Sequence, residues 1–308
     1  MRKIVLLGGT GFIGSHLFAH LSKNASYDVR VFSRTAIPGL NPEFQKSFIQ
    51  GDFRDIGPLM RVIHDADILI HLISSTVPSS SAHDPLGDIE NNLLGTVNLL
   101  TQIPNTSIKK FIYFSSGGMV YGNPTHLPVD EKHPLAPINP YGISKMACES
   151  YVRYYATKFN FEHNIIRPSN PYGPGQPDDG IQGVIASFLS RALKGKELKV
   201  WGDGSAVRDY LYIDDLVEFV AKLIEADHIG GVFNVGSGVG ADLNEIIRVT
   251  SEVSHTSPRV VRVETGASNV NEIYLDITRA KTLLGWEPKV TLREGMERFY
   301  RVLRQGGL

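Results

Sequence analysis

Tyr141 and Lys145 lie four residues apart in Tyr-Gly-Ile-Ser-Lys, directly after Asn139-Pro140. Asn-Pro is a helix start, and on a helix that spacing sets the phenol and the ammonium on one face. A free phenol has a pKa near ~10 and is a poor base at neutral pH. Positive charge beside it favours the phenolate, so the pair suits proton transfer with a reacting hydroxyl. Tyrosine and lysine meet at this spacing on many helices by chance, so a second signal must decide. That signal is Gly8-Gly9-Thr10-Gly11-Phe12-Ile13-Gly14, which follows the first apolar run of the chain. Glycines at 8 and 11 let the backbone turn and come close to a pyrophosphate. Gly14 lets helix and strand pack, and the helix opened by Phe12 and Ile13 aims its N–H groups at the phosphates. Together the two groups point to a nicotinamide dinucleotide and a coupled proton and hydride transfer.

The choice between NAD and NADP is usually set at the end of the second strand. An acid there accepts from the ribose 2′-hydroxyl, whereas an arginine favours a 2′-phosphate. The chain reads Val-Arg-Val-Phe-Ser-Arg over residues 29–34, so the acid is absent. Ser33 suits either ribose, and Arg34 suits a phosphate, stacking on adenine, or solvent. NAD is the expected cofactor, with NADP open on this ground. Asp52, in Gly-Asp-Phe, stands where a carboxylate after the third strand accepts from the adenine amino group. An ordinary turn aspartate fits the same position.

The elements that must hold these residues follow from periodicity. Bare apolar runs at 4–7, 29–32, 68–72, 111–114 and 164–167 read as strands of a parallel sheet buried on both faces. Helical spacing covers 12–23, 89–102 and 141–159. This alternation predicts an α/β fold, a Rossmann-type doubly wound parallel sheet with a smaller C-terminal substrate-binding lobe. The dinucleotide-binding domain is expected over 1–167, and the substrate lobe mainly over 168–308, with part returning to the main sheet. Prolines and glycines from Pro168 to Gly180 predict a loop without regular structure. Beyond it, strands at 198–201, 210–213 and 232–235 alternate with helices at 182–193, 214–225, 243–253 and 292–303. Residues 74–81, with four serines around Val77-Pro78, read as a mobile connection or a substrate contact.

Composition narrows the partners. The 308 residues are 42% hydrophobic and 20% charged, with a formal net charge of −1. Nucleic acid and anionic membrane are not expected partners, since either calls for a basic face. Cys148 is the one cysteine, so no intrachain disulfide forms and no thiol-rich metal site or other metal centre is expected. The apolar run at 4–7 is too short for a secretory signal or a membrane span, and a cytoplasmic location is expected.

With these motifs in order, the chain resembles an extended short-chain dehydrogenase/reductase of the NAD-dependent nucleotide-sugar epimerase/dehydratase family, which includes the UDP-glucose 4-epimerases. The resemblance runs through 8–15, Gly51-Asp52, Asn91 to Thr96, Ser115 to Gly122, Tyr141 to Lys145 and Arg167 to Gly173. It continues through Trp201 to Gly204, Arg208-Asp209-Tyr210, Phe233 to Gly236 and Leu284 to Pro288. It implies that Lys145 also bridges the nicotinamide ribose. Phe53, Leu72, Ser115 and Pro168 join the cofactor-binding set. Asn170 and Arg208 would hold a substrate diphosphate, and the segment around Trp201 would cradle the base. For Arg208 an ordinary ion pair with Asp209 is the alternative.

Three departures bear on the activity. Related 4-epimerases carry a serine or threonine where this chain has Gly117, so Ser115, Ser116, a water or a direct contact must serve, and Ser116 is the expected catalytic hydroxyl. The Asp-Glu pair of 4,6-dehydratases is replaced by Gly118-Met119, which argues against dehydration. A second diphosphate arginine is missing from 265–269, with Arg262 nearby as a substitute. The resemblance therefore implies a nucleotide-sugar 4-epimerase, UDP-hexose by default. The alternative is an NADPH-dependent nucleotide-sugar 4-ketoreductase of deoxysugar synthesis, and a dinucleotide sensor without chemistry is a third. A homodimer is expected through the helix after Asn91-Asn92 and the one bearing Tyr141.

Overall fold

The apolar runs of the first half need both faces covered, and a sheet between helix layers supplies that. The computed structural model describes residues 1–36, 42–178, 183–264 and 270–306. Its strands are β1 (Arg2–Leu7), β2 (Tyr27–Ser33), β3 (Phe48–Gln50), β4 (Ile68–His71), β5 (Lys110–Phe114) and β6 (Glu162–Pro168). The helices among them are α1 (Phe12–Leu21), α2 (Pro42–Ser47), α3 (Ile56–Ile63), α4 (Pro78–His83), α5 (Pro85–Asp88), α6 (Gly95–Gln102) and α7 (Pro140–Phe159). Next come β7 (Asn170–Tyr172), α8 (Val184–Leu193), β8 (Leu198–Trp201), β9 (Val207–Tyr212), α9 (Ile213–Glu225) and β10 (Gly231–Val235). The chain continues with β11 (Gly240–Asp242), α10 (Leu243–Ser254), β12 (Val260–Val263), β13 (Glu272–Ile273), α11 (Thr278–Leu284) and α12 (Leu292–Arg304).

Two compact units result. The first is Met1–Ser116, Asn139–Arg167 and Val217–Phe233, and the second is Gly117–Ile138, Pro168–Leu216 and Asn234–Leu308. The main sheet runs β10-β6-β5-β4-β1-β2-β3. Its β1–β2, β1–β4, β2–β3, β4–β5 and β5–β6 pairs are all parallel. Strand order reverses between β1 and β4, as in the doubly wound fold the periodicity predicts, and the crevice at such a reversal is where ligands sit. Ile4, Val5, Leu6 and Leu7 are fully buried, as strands covered on both faces must be. In the second unit β11-β9-β13 form one sheet, β7 pairs with β9, and β12 pairs with β8.

Several local readings change. Residues 89–102 are two segments, a π-helical stretch over Ile89–Leu94 followed by α6. α4 begins inside the serine-rich connection at 74–81, because Pro78 opens the turn and Ser81 is buried against α7. The proline-rich segment holds strand β7, whose Asn170, Pro171 and Tyr172 pair in parallel with Tyr210, Leu211 and Tyr212. Pro171 donates no N–H, a loss tolerated at an edge. Gly180, Gln182 and residues 265–269 lie outside the described residues. No described helix is long and apolar enough to cross a membrane.

α7 carries the two candidate residues, Tyr141 and Lys145, and is fixed at three points. Asn139 caps it by accepting the Gly142 N–H at 2.9 Å, Pro140 occupies its first turn, and Asn160 ends it in the left-handed region at φ 54°. Its middle is held by Glu149. That buried carboxylate accepts from Arg167 Nε at 2.9 Å and Nη2 at 2.6 Å, from Ser115 Oγ at 2.6 Å, and from Arg153 Nη2 at 2.8 Å. Removing one partner of a buried pair strands the other charge, which costs about 3–5 kcal/mol, against ~0–1 kcal/mol for an exposed pair. Glu149→Ala is therefore expected to lower the unfolding free energy in urea by several-fold more than Arg153→Ala. Equal effects would show that the Arg167 contact contributes little.

Candidate functional site

The glycine turn in the first unit is built for close approach. Gly8 has φ +85°, which a side chain would strain, and its N–H donates to Phe32 O at 2.9 Å. A Cβ on Gly14 would stand 2.5 Å from Gly9 Cα and 2.6 Å from Gly8 O, so helix and strand meet there without room for a side chain. Gly9, which sequence reasoning passed over, is as tight, since its Cβ would lie 2.7 Å from Val31 Cγ1. At Gly11 a Cβ would meet only Gly8 O, at 3.4 Å. Phe12 and Ile13 begin α1, with Gly11 as its N-cap.

Around this turn lies a cavity of about 260 Å³ at the C-terminal ends of β1 to β4. It gathers Gly8, Gly11, Ser33, Arg34, Asp52, Phe53 and Leu72 from the expected set, and adds Thr10, Arg54 and Asn91. Asp52 holds two positions at once. It lines the cavity, and it also caps its own turn by accepting the Arg54 N–H at 3.0 Å. Its carboxylate is clasped by Arg54 through Nε at 3.0 Å and Nη2 at 2.6 Å, which holds it below the usual carboxylate range. Arg54 also reaches Asn91 Oδ1. The glycine turn and the polar residues of the lining fit a dinucleotide.

Tyr141 and Lys145 sit on the first turns of α7. Lys145 is buried, its Nζ donates to Phe114 O at 2.9 Å, and it lies 5.7 Å from the Tyr141 ring centroid. A second ring, Tyr113, stands 5.2 Å from the same ammonium. Two faces and one carbonyl thus hold the charge in place. The Tyr141 N–H donates to Ser81 Oγ at 3.1 Å, so α4 anchors the start of α7. One turn on, Ser144 donates to Asp88, a buried carboxylate that also takes Thr76 Oγ1 and, at 2.8 Å, Asn92 Nδ2. The Ser81 and Asp88 contacts escaped the sequence reading because each partner lies more than fifty residues from α7.

Of the two candidate hydroxyls after β5, Ser115 is buried and spends its proton on Glu149. Ser116 is half-buried and outside that network.

In the second unit, the Gly117 N–H donates to Pro168 O at 2.8 Å. Asn170 on β7 donates to Asp209 O at 2.8 Å, and Arg208 lies on the adjoining strand β9. Arg208 Nη1 donates to the carbonyls of Val207 at 2.7 Å and Asn271 at 3.3 Å. Asp209 is occupied otherwise. Its buried carboxylate takes the N–H groups of Ser237, Gly238 and Leu275 and the Ser237 hydroxyl, so it serves as a backbone staple. Trp201 closes β8 and is 61% exposed. Arg262, the expected substitute, is held on Asp203 O and, at 3.0 Å, on Asn244 Oδ1. The stretch 265–269 beside it lies outside the described residues.

Residues 4–236 match the NAD dependent epimerase/dehydratase family. A putative UDP-glucose 4-epimerase of Methanocaldococcus jannaschii is 34% identical over 299 residues, covering 96% of each chain. A dTDP-4-dehydro-6-deoxyglucose reductase of Escherichia coli is 32% identical, covering 98% of this chain and 97% of its own. The crystal structure of the Thermotoga maritima UDP-glucose 4-epimerase with UDP-glucose superposes with a TM-score of 0.89 at 33% identity, covering 99% of both chains.

His71, at the end of β4, gives the first unit a pH signature. Burial, reinforced by the Lys145 charge, lowers its pKa to about 3 from 6.5, and Nε2 pairs with Thr96 Oγ1 at 3.0 Å. The unfolded chain takes up this proton below about 6.5, while the folded one stays neutral until about 3. The stability it confers is whole above that window and is lost as pH falls through it. His71→Gln is expected to flatten the decline of unfolding free energy between pH 6.5 and about 3, read by urea titration at a series of pH values. An unchanged slope would reassign the acid sensitivity elsewhere.

Proposed function

The chain belongs to the NAD-dependent epimerase/dehydratase family, and from that premise we propose that it is a nucleotide-sugar 4-epimerase acting on a UDP-hexose. The observation that carries the reading is Lys145, buried between two phenol rings and tied to Phe114 O beside Tyr141. In this reading Tyr141 takes the 4-hydroxyl proton and later returns it. Lys145 stabilises the phenolate and holds the nicotinamide ribose, and Ser116 supplies the bridging hydroxyl. A bound nicotinamide would supply the hydride acceptor and donor for C4 of the sugar. Asn170 and Arg208 grip the diphosphate while Trp201 flanks the base, which leaves the sugar free to turn. Gly118 and Met119 offer no acid or base, so water is not eliminated across C5–C6.

The purified enzyme is expected to interconvert UDP-glucose, or UDP-N-acetylglucosamine, with its galacto epimer without added cofactor. Tyr141→Phe should lower that rate by ~10²-fold or more, the range for removing a general acid–base group. A folded protein inactive on UDP-, dTDP- and GDP-hexoses would refute the reading.

A second reading has its own support, namely Gly117 in place of the usual hydroxyl and the similarity to a dTDP-4-dehydro-6-deoxyglucose reductase. A 4-ketoreductase would show net NADPH oxidation with a 4-keto-6-deoxy sugar nucleotide, which an epimerase does not sustain.

The first unit also exposes Leu86, Ile89 and Leu94 near the α5–α6 segment, and Ile143, Tyr151 and Tyr154 on α7. Exposed apolar side chains on these neighbouring segments support reading them as the association face of a homodimer. Sedimentation should give twice the chain mass, reduced to one chain by Tyr154→Glu. A monomeric parent protein would remove the proposal.

A further inference from the structure

The wall of the first-unit cavity at the end of β2 consists of donors. Thr10, Ser33, Arg34 and Thr35 line it there. Thr10 Oγ1 donates to Ser33 Oγ at 3.0 Å, which leaves the Ser33 proton to point elsewhere. The Arg34 backbone is pinned, its carbonyl accepting from Gln50 Nε2 at 2.9 Å, while its side chain is exposed at the rim. Among the described residues the one carboxylate in the lining, Asp52, has both oxygens taken by Arg54. Two guanidinium groups and one carboxylate leave this wall net positive. A ribose 2′,3′-diol is held best by an acceptor carboxylate, and no acidic side chain on β2 reaches this wall. A 2′-phosphate is the opposite case, a dianion that asks for hydroxyl and guanidinium donors.

We infer that this cavity takes a 2′-phosphorylated nicotinamide dinucleotide, NADP(H), at least as tightly as NAD(H), with Arg34 and Ser33 as its phosphate-side donors. The inference rests on the dinucleotide reading of the same cavity. It does not depend on which sugar reaction follows. Arg54 is not the phosphate ligand, because Asp52 and Asn91 already hold its guanidinium.

Fluorescence titration of the purified protein with NADPH and with NADH tests this without any turnover. Expected are an NADPH dissociation constant no larger than that for NADH, a tenfold or greater weakening of NADPH by Arg34→Ala, and less than a threefold change for NADH. Ser33→Asp should reverse the preference by restoring an acceptor for the diol. NADH binding tenfold tighter than NADPH, or an Arg34→Ala protein with unchanged NADPH affinity, overturns the inference and leaves the dinucleotide site intact. Failure of a folded protein to bind either form overturns the site itself.

Discussion

One buried ion pair organises the first unit. Glu149 and Arg167 are both withdrawn from water, an arrangement that is tolerable only if every charge is met at close range. Glu149 meets the requirement with four hydrogen bonds, two from Arg167 and one each from Ser115 and Arg153. Those bonds join the middle of α7 to the C-terminal ends of β5 and β6. The helix cannot rotate or slide without exposing a charge to an apolar interior. Its first turns, with Tyr141 and Lys145, therefore keep a fixed height above the sheet edge. Ser115 is drawn into the same network, which removes its hydroxyl from the list of groups free for chemistry.

Carboxylates play comparable parts elsewhere. Asp88 ties α7 to the Thr76 connection and to the π-helical segment through Ser144, Thr76 and Asn92. In the second unit Asp209 receives three backbone N–H groups, and Asp215 receives those of Lys289 and Val290 while its own carbonyl takes the Trp286 indole. Burial raises the Asp209 pKa, and the donors around it oppose that shift. Such staples hold loops that apolar packing alone leaves loosely defined, because each hydrogen bond specifies a direction as well as a distance.

The glycine turn shows the complementary constraint, in which the absence of atoms matters. Gly8 needs a positive φ, and Gly14 faces backbone atoms that no side chain displaces. The space so preserved opens at the reversal of strand order, at the C-terminal ends of β1 and β4. Fixed N–H donors at the start of α1 and the polar ends of β2 and β3 meet there. Geometry and electrostatics thus favour an elongated anion along one line.

The sequence by itself determined whatever depends on near neighbours or on simple period. The glycine spacing, the four-residue step from Tyr141 to Lys145, and the bare runs that become β1, β2, β4, β5 and β6 are local facts. Short-range steric and packing rules act on them in the same way wherever they occur. Folding alone decided the commitments of polar side chains. Ser115 meets Glu149 thirty-four residues on, Ser81 meets the Tyr141 N–H across sixty residues, and Arg54 reaches Asn91 across thirty-seven. Helix α4 and the strand at Asn170–Tyr172 form for the same reason, since their partners α7 and β9 lie far along the chain. A donor's choice among distant acceptors depends on which of them the packed core brings within three ångströms, and no periodicity in the chain encodes that.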